Sequence, residues 1–216
     1  MVIKSLILFA LLPLLTGVLL RKFCYRPSLN LSNKNALLSG KKVCEEILSS
    51  EMEFDEGKDY SQSNGLFLVP SGALESKKLS VIRETLMAIS LAKLSGKSKI
   101  TWIDRERSIL KFNMLVSVFT LIICLFGILA KSLLPLHTLY LILIVIGLVS
   151  VNSLYLTMVR RQAAQIAVKA AKSIPFLVRK EDQSLFYQSI KENAYQYSIP
   201  LSDTKWRIKI DKKRRN

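Results

Sequence analysis

FNMLVSVFTLIICLFGILA, residues 112–130, is a run of nineteen residues without a charged side chain. A second run covers Leu133–Val159, twenty-seven residues whose only interruptions are Pro135, His137 and a few small polar side chains. A transmembrane helix needs about 20 apolar residues. Two adjacent runs of this length would overfill the core of a soluble chain of 216 residues. They predict two transmembrane helices, at 112–130 and 134–159.

A third apolar block, Ser5–Leu20, lies near the N-terminus. A cleaved secretory signal would end in a small-x-small cleavage site, whereas this block ends in LLRK. An uncleaved transmembrane anchor at residues 1–22, with Lys4 reaching the membrane interface, is therefore favoured over a signal peptide.

Lys and Arg are unevenly distributed among the segments that flank these blocks. Residues 21–111 contain sixteen, residues 160–216 contain fourteen, and the connection between the second and third helices contains Lys131. Cytoplasmic segments of membrane proteins collect Lys and Arg. We therefore expect three spans in a cytoplasmic (inner) membrane, with the N-terminus outside and the C-terminus in the cytoplasm.

Residues 25–111 have the pattern of a small cytoplasmic α+β unit. The segment LLSGKKVCEEILSS predicts a helix that begins near Ser39, and the apolar run Leu66–Val69 between turn signals predicts a short strand. The stretch Leu79–Gly96 has apolar residues at helical spacing and predicts a helix. The acidic stretch EMEFDEGKDY and the following SQSNG are expected to form turns.

Residues 160–216 are predicted to be a basic cytoplasmic tail. The third membrane helix is expected to continue into the Ala-rich residues 160–167 and to stop near Pro175, and another helix is expected at about Ser184–Tyr197. The tail has fourteen basic and five acidic side chains, a net charge of +9. This charge fits a topology signal combined with contact to anionic lipid head groups, and nucleic acid is the less favoured partner. The residues assigned to this contact are Lys205, Trp206, Arg207, Lys209, Lys212, Lys213, Arg214 and Arg215.

The sequence lacks the motifs of three kinds of site: cysteine pairs for zinc or redox chemistry, a phosphate-binding loop and a calcium-binding loop. The cysteines Cys24, Cys44 and Cys124 are scattered and form no C-x-x-C pair for zinc or redox chemistry. The pair Gly40-Lys41 lacks the upstream glycine and the Ser or Thr of a phosphate-binding loop. The acidic residues of 45–59 lack the spacing of a calcium loop.

The order of these features resembles the bacterial membrane-bound neutral zinc metallopeptidases, the YugP-like family. Leu38–Leu48 (LSGKKVCEEIL) is similar to that family's helix start L-[ST]-G-x-x-V-A-x-x-I-L, and Tyr60–Val69 is similar to its turn and strand Y-D-P-x-x-x-x-V-x-L. Ser71–Leu74 is similar to the S-x-x-V that follows, and Arg160-Arg161 stands where the family has R-R-A. The resemblance covers most of residues 1–170.

The resemblance implies where a zinc site would lie. In that family the helix after the strand carries H-E-x-x-H, whose two His bind zinc and whose Glu is the general base. The motif would fall at Ala88–Ala92, or one residue earlier, and a third, acidic ligand near Tyr155. The chain has no His or Glu in Thr85–Ile100, no Asp or Glu between Glu106 and Glu181, and His137 as its one histidine. The resemblance thus implies a degenerate member, and we assign no catalytic, cofactor-binding or metal-ligating residue.

The sequence therefore predicts a mainly α-helical integral membrane protein with three transmembrane helices and a small cytoplasmic, zinc-peptidase-like α+β unit. The expected function is non-catalytic: a scaffold or interaction protein for an unnamed membrane or cytoplasmic protein. Two alternatives are an active zinc metallopeptidase with unrecognised ligands and a membrane tether that binds nucleic acid or anionic lipid through its tail. If the resemblance to the metallopeptidases arose by chance, the helix at Leu79–Gly96 would be a packing element, and the chain would again have no peptidase activity.

Overall fold

The computed structural model describes residues 2–25, 35–48, 53–63, 66–95, 101–130, 134–174 and 180–200. The chain forms two compact units. The helical unit comprises Met1–Cys24, Arg107–Met158 and Tyr195–Asn216, and the mixed unit comprises Tyr25–Glu106 and Val159–Ala194. The protein is mostly helical with one small sheet, as the sequence predicts.

The described elements are seven helices and three strands. In chain order they are α1 (Val2–Cys24), α2 (Gly40–Leu48), β1 (Glu53–Gly57), β2 (Ser61–Ser63), β3 (Leu66–Pro70), α3 (Ser71–Leu74), α4 (Leu79–Ser95), α5 (Trp102–Leu129), α6 (Pro135–Lys172) and α7 (Lys180–Asn193).

Three helices in the described chain are long and apolar enough to cross a membrane. They are Lys4–Cys24, Trp102–Leu129 and Pro135–Lys172. The three expected apolar helices are therefore confirmed as helices of sufficient length. The last of them continues past Val159 and ends before Pro175, because its Ala-rich extension has high helix propensity and a proline cannot continue the backbone ladder.

A seam of small and polar side chains on α5 packs inside the helical unit. Asn113, Thr120, Cys124 and Gly127 recur every three to seven residues and are buried, whereas most of the large apolar side chains of α5 are exposed. The Nδ2 of Asn152 on α6 donates to the Oδ1 of Asn113 over 2.9 Å. Small residues allow helices to approach closely, and an amide pair satisfies two polar groups in an apolar setting.

Helix α1 packs against α6 in the same direction. A Cβ at Gly147 of α6 would overlap the ring of Phe9, and a Cβ at Gly17 would lie 3.9 Å from the Leu154 Cδ2. The later contact on α1 therefore meets the later residue on α6, so the two helices run parallel. Parallel α1 and α6 are what a chain with three successive spans requires, since the first and third spans cross in the same direction.

The mixed unit contains a three-stranded sheet in the order β1-β3-β2. β1 pairs with β3 in parallel, with Glu53 opposite Leu66, and β2 pairs with β3 in antiparallel fashion, with Ser61 opposite Leu68. The expectation that the acidic stretch and SQSNG form turns was wrong for Glu53–Gly57 and Ser61–Ser63. Their polar composition disfavours strands, but pairing with the buried central strand overrides that preference.

Helix α4 has the predicted limits and forms the centre of the mixed unit. It packs against α2, α3, α7 and β3. Helix α2 begins one residue after the predicted cap at Ser39, where a Cβ on Gly40 would overlap the carbonyl oxygen of Ala73. Glycine at position 40 therefore permits the start of α2 to touch α3.

Two helix limits differ from the sequence expectation. Helix α7 begins at Lys180 and ends at Asn193, about four residues earlier than predicted. Glu181 and Asp182 in its first turn suit the positive end of the helix dipole. Helix α5 begins at Trp102, where Thr101 Oγ1 accepts from the Asp104 N–H over 3.2 Å and donates to its carboxylate over 2.6 Å.

The mixed unit is larger than the 25–111 segment expected from the sequence. It also contains Val159–Ala194, most of which the sequence predicts to belong to a separate tail. The buried side chains Phe186 and Ile190 of α7 show how that part of the chain joins the unit, since α7 packs on α4.

Candidate functional site

The centre of α4 is the place where the resemblance puts a zinc motif. All eight residues of Thr85–Ala92 are buried. Ala88 and Ala92, the two positions that would carry histidine, are 7% and 0% exposed. A helix that is buried all round is a core element. The structure therefore fills this position with packed side chains and leaves no open coordination face along Thr85–Ala92.

Thr85 and Tyr60 form a polar contact beside this core. The Tyr60 hydroxyl lies 2.8 Å from Thr85 Oγ1, which itself donates to the Val81 carbonyl over 3.0 Å. The Tyr60 ring stacks on Phe67 with 6.4 Å between the ring centroids. Burial raises the pKa of Tyr60 well above its ordinary value. The phenol therefore stays neutral and acts as a structural hydrogen-bonding group.

Cys44 is a buried thiol on α2. Burial, with a smaller contribution from the charge of Glu45, raises the pKa of Cys44 to about 12. The thiolate is the nucleophile and the metal-binding form of cysteine. A thiol with this pKa is protonated at neutral pH, so Cys44 is suited to packing and unsuited to both kinds of chemistry.

A buried ion pair joins α5 and α6 within the mixed unit. The Nη2 of Arg160 donates to Oε1 of Glu106 over 2.6 Å, and its Nε donates to Oε2 over 3.0 Å. Its Nη1 also donates to Oδ1 of Asn193 on α7 over 3.3 Å. Glu106 and Arg160 are 8% and 7% exposed. This two-point geometry is the strong form of an arginine–carboxylate contact.

The ion pair is a structural contact, because both oxygens of Glu106 already accept hydrogen bonds from Arg160. A general base would need an oxygen available to a substrate proton. The pair instead ties together three helices of the mixed unit. Arg160 and Glu106 lie 54 residues apart in the sequence, and their pairing was not predicted. The available signal was an acid before the apolar run at 112–130 and an arginine after the run Leu133–Val159, at similar distances from the connection between the two runs.

Arg83 on α4 brings a second guanidinium near this pair. Its Nε is buried and has no hydrogen-bond partner among the described residues. Burial is the main reason that the pKa of Arg83 is lowered, while the negative charges of Glu84 and Glu192 act in the opposite direction. The positive charge of Arg160 adds to the lowering.

Potential metal ligands are dispersed over the described ranges. No group of three or more His, Cys, Asp or Glu comes together there. Tyr155, near which the resemblance places a third ligand, is exposed on α6 in the helical unit.

The basic and aromatic residues assigned to lipid or nucleic-acid contact lie outside the described residues. They are Lys205, Trp206, Arg207, Lys209, Lys212, Lys213, Arg214 and Arg215. The described segment that precedes them, Tyr195–Pro200, belongs to the helical unit. Tyr197 and Ser198 in this segment are buried.

No protein-family model matches this chain, and no curated protein or solved structure matches it either. The resemblance to the YugP-like metallopeptidases therefore stays a hypothesis carried by the short motifs.

Proposed function

We propose that this chain is a non-catalytic integral membrane protein that acts as a scaffold or interaction protein. In this proposal α1, α5 and α6 span a bacterial cytoplasmic membrane, with the N-terminus outside and the mixed unit in the cytoplasm. The single observation that carries the non-catalytic part is the continuous burial of Thr85–Ala92 on α4. A peptidase built on this helix would need an open face with metal ligands at that position.

Descent from a membrane zinc peptidase that lost its metal is part of the proposal. The motif resemblance and the order of elements support it: a glycine-started helix, a strand, the short helix α3 and then α4. Gly40 supports it further, because the glycine of the LSG motif is required by the close approach of Ala73. The scaffold is thus retained where packing demands it, while the motif position on α4 has become core.

Metal content and peptidase activity test the non-catalytic assignment. The full chain would be purified in detergent, its zinc measured by elemental mass spectrometry and its activity followed on an unfolded protein substrate. We expect less than stoichiometric zinc and no hydrolysis that a chelator abolishes. One zinc per chain, together with chelator-sensitive hydrolysis, would show that the protein is a peptidase.

Cross-linking in cells tests the scaffold assignment. We expect protein partners to be captured through the mixed unit and to be lost when residues 36–110 are deleted. Truncation at Ser202 is the matched control, because it leaves the mixed unit intact. Partners that persist in the first variant would contradict a scaffold role for this unit.

A further inference from the structure

Strand β1 forms one edge of the three-stranded sheet. The order β1-β3-β2 places β3 on one side of β1, and no strand within the described part of the chain pairs with its other side. The Glu56 N–H donates to Oδ1 of Asp55 over 2.7 Å, which is a bond within β1 itself. An edge strand presents backbone N–H and C=O groups with which another extended segment can pair. β1 is therefore a place where a fourth strand can be added.

The sheet holds this edge in a fixed position. β1 pairs with β3 along all five of its residues. Phe67 and Val69 of β3 are completely buried, and the Tyr60 ring stacks on the Phe67 ring. A segment that is already ordered loses little further conformational entropy when a partner binds. The edge is thus formed before any partner arrives.

Exposed carboxylates lie on and beside this edge. Glu53, Asp55 and Glu56 belong to β1, and Glu45 and Glu46 lie on α2, which packs against β1. These five side chains have no ion-pair partner among the described residues. β1 itself has three acidic and no basic side chains, although the chain as a whole has a net charge of +16. The strand therefore offers negative charge that the protein does not neutralise locally.

The alternation of side chains along β1 defines what a neighbouring strand would meet. Glu53 and Asp55 point to one face of the sheet, whereas Phe54 and Glu56 point to the other. Phe54 is half-buried and stands opposite Phe67 of β3. Side chains on adjacent strands interact most strongly when they stand directly opposite each other. The complementary segment therefore has the order basic, apolar, basic, basic along β1.

The same charges disfavour other occupants of the edge. A second copy of this chain would place one acidic β1 against another, and like charges directly opposite each other destabilise a strand pair. A neutral segment would displace water from the carboxylates without supplying an opposite charge. A basic extended segment satisfies both the backbone groups and the carboxylates.

We propose that β1 is a docking surface for an extended, basic segment of a protein partner, which pairs with β1 as a fourth strand. In this mode of recognition, backbone hydrogen bonds provide affinity and the side chains beside them provide specificity. The carboxylates of β1 select Lys and Arg in the partner. This inference rests on the proposed scaffold role and states which kind of partner the mixed unit binds.

Fluorescence anisotropy with a synthetic peptide tests the proposal. The probe is fluorescein-labelled Gly-Ser-Lys-Val-Lys-Arg-Val-Ser-Gly, whose Lys-Val-Lys-Arg core has the complementary order, and the protein is the full chain in a non-ionic detergent. We expect saturable binding and slower hydrogen exchange of residues 53–57 in the complex. A peptide with N-methyl groups on the backbone nitrogens of the core keeps the charge but loses its N–H donors. Its affinity should be lower by about tenfold.

A charge variant of β1 tests the role of the carboxylates. Glu53→Gln, Asp55→Asn and Glu56→Gln together should lower the affinity for the unmodified peptide by about tenfold, because three cross-strand charge pairs are lost. The matched control neutralises three exposed carboxylates elsewhere in the mixed unit and should leave the affinity unchanged; these are Glu75, Glu84 and Glu181.

Three results would overturn the proposal. The first is equal affinity of the unmodified and N-methylated peptides, which would indicate charge attraction without strand pairing. The second is an equal effect of the β1 variant and its control on peptide binding. The third is slower exchange of residues 53–57 when the concentration of the full chain is raised without peptide, which would identify a second copy as the occupant.

Absence of peptide binding would also overturn the proposal, and cross-linking in cells shows whether the scaffold role fails with it. Partners that are lost on deletion of residues 36–110 would leave the scaffold role standing and reject the basic strand on β1. Partners that persist in the deletion variant would contradict the scaffold role itself.

Discussion

At the scale of single residues, the contact between Glu106 and Arg160 has the strongest consequence for stability. Both side chains are buried, and two hydrogen bonds join them. Breaking a buried pair by removing one partner leaves an uncompensated charge, whereas replacing both partners with apolar groups removes the cost of burying the charges. The burial of each charge is therefore tolerated only while the other charge is present.

Arg160→Met is expected to lower the free energy of unfolding by about 3–5 kcal/mol, because it leaves the Glu106 carboxylate buried without its partner. The double variant Glu106→Leu with Arg160→Met should recover much of this loss. Denaturant unfolding in detergent measures both changes. Arg161→Met alters the next, exposed position of α6 and is the control, with an expected change within about 0.5 kcal/mol. Equal effects of the Arg160 and Arg161 variants would contradict a stabilising pair.

Cys44 gives a prediction about pH at the same scale. Burial is the main reason that the pKa of Cys44 rises from its ordinary value of 9.0 to about 12 in the folded protein. Below pH 9 the thiol is protonated in both states, so its contribution to stability is fully present. Between pH 9 and about 12 the unfolded chain loses the proton first, so the folded state binds more protons and stability falls as pH rises.

Cys44→Ala should therefore show a shallower loss of stability from pH 9 to 12 than the parent protein, by up to about 1.4 kcal/mol per pH unit. Unfolding by denaturant at several pH values gives the two slopes.

In the parent protein at pH 7, maleimide should label Cys44 only after unfolding, because in the folded protein the thiol is protonated and buried. Rapid labelling of Cys44 in the folded protein would show that the thiol is reactive.

At the scale of elements, α4 is a helix whose limits can be predicted from the sequence. Its apolar spacing and the glycine after it define the helix, and the structure confirms Leu79–Ser95. The burial of every residue in Thr85–Ala92 could not be predicted, because α7 packs on α4 from a part of the chain about 100 residues away. Periodicity describes one helix at a time, whereas burial depends on which other elements arrive.

Introducing histidine at positions 88 and 92 would show whether this part of α4 is a packed core or an open cleft that has lost its zinc ligands. Ala88→His with Ala92→His should destabilise the protein by at least about 2 kcal/mol, because overpacking a filled core costs about 1–3 kcal/mol. Thermal unfolding with and without zinc measures the effect. Ser80→His with Glu84→His places the same pair on a more accessible face of α4 and is the control. A stable Ala88/Ala92 variant with raised zinc affinity would reveal an open cleft.

The strands show where prediction from sequence failed at this scale. LFLV predicts a strand by its own composition, and β3 confirms it. β1 and β2 contain mostly acidic or small polar residues, and their strand conformation depends on pairing with β3. Strand pairing is a tertiary contact, and the local strand propensity of a segment carries no information about it.

At the scale of the whole molecule, the apolar runs determine the largest part of the architecture. Runs without charge predict long apolar helices with little ambiguity, and three such helices are present among the described residues. Membership of the two units was harder to predict, because Val159–Ala194 joins the mixed unit through tertiary contacts between residues distant in sequence. The Glu106–Arg160 pair is an example, since 54 residues separate its members.

The proposed orientation predicts which cysteines are accessible from outside the cell. In a chain whose three native cysteines are replaced, a single cysteine at His137 should react with an impermeant maleimide in intact cells, and one at Ser184 should react only after lysis. Both positions are exposed in the structure. Labelling followed by mass shift on gels provides the measurement. The reverse pattern would mean that the N-terminus is cytoplasmic.

The glycine at position 17 makes the first helix specific to this protein rather than interchangeable with other apolar segments. A polyleucine helix would be long and hydrophobic enough to insert into a membrane. Its side chain at position 17, however, would occupy the place that the Ser198 carbonyl now fills. Expression strategies that exchange the leader region for a generic anchor would then yield a chain with normal targeting and a displaced C-terminal end. Keeping this one small residue in any such hybrid preserves the contact.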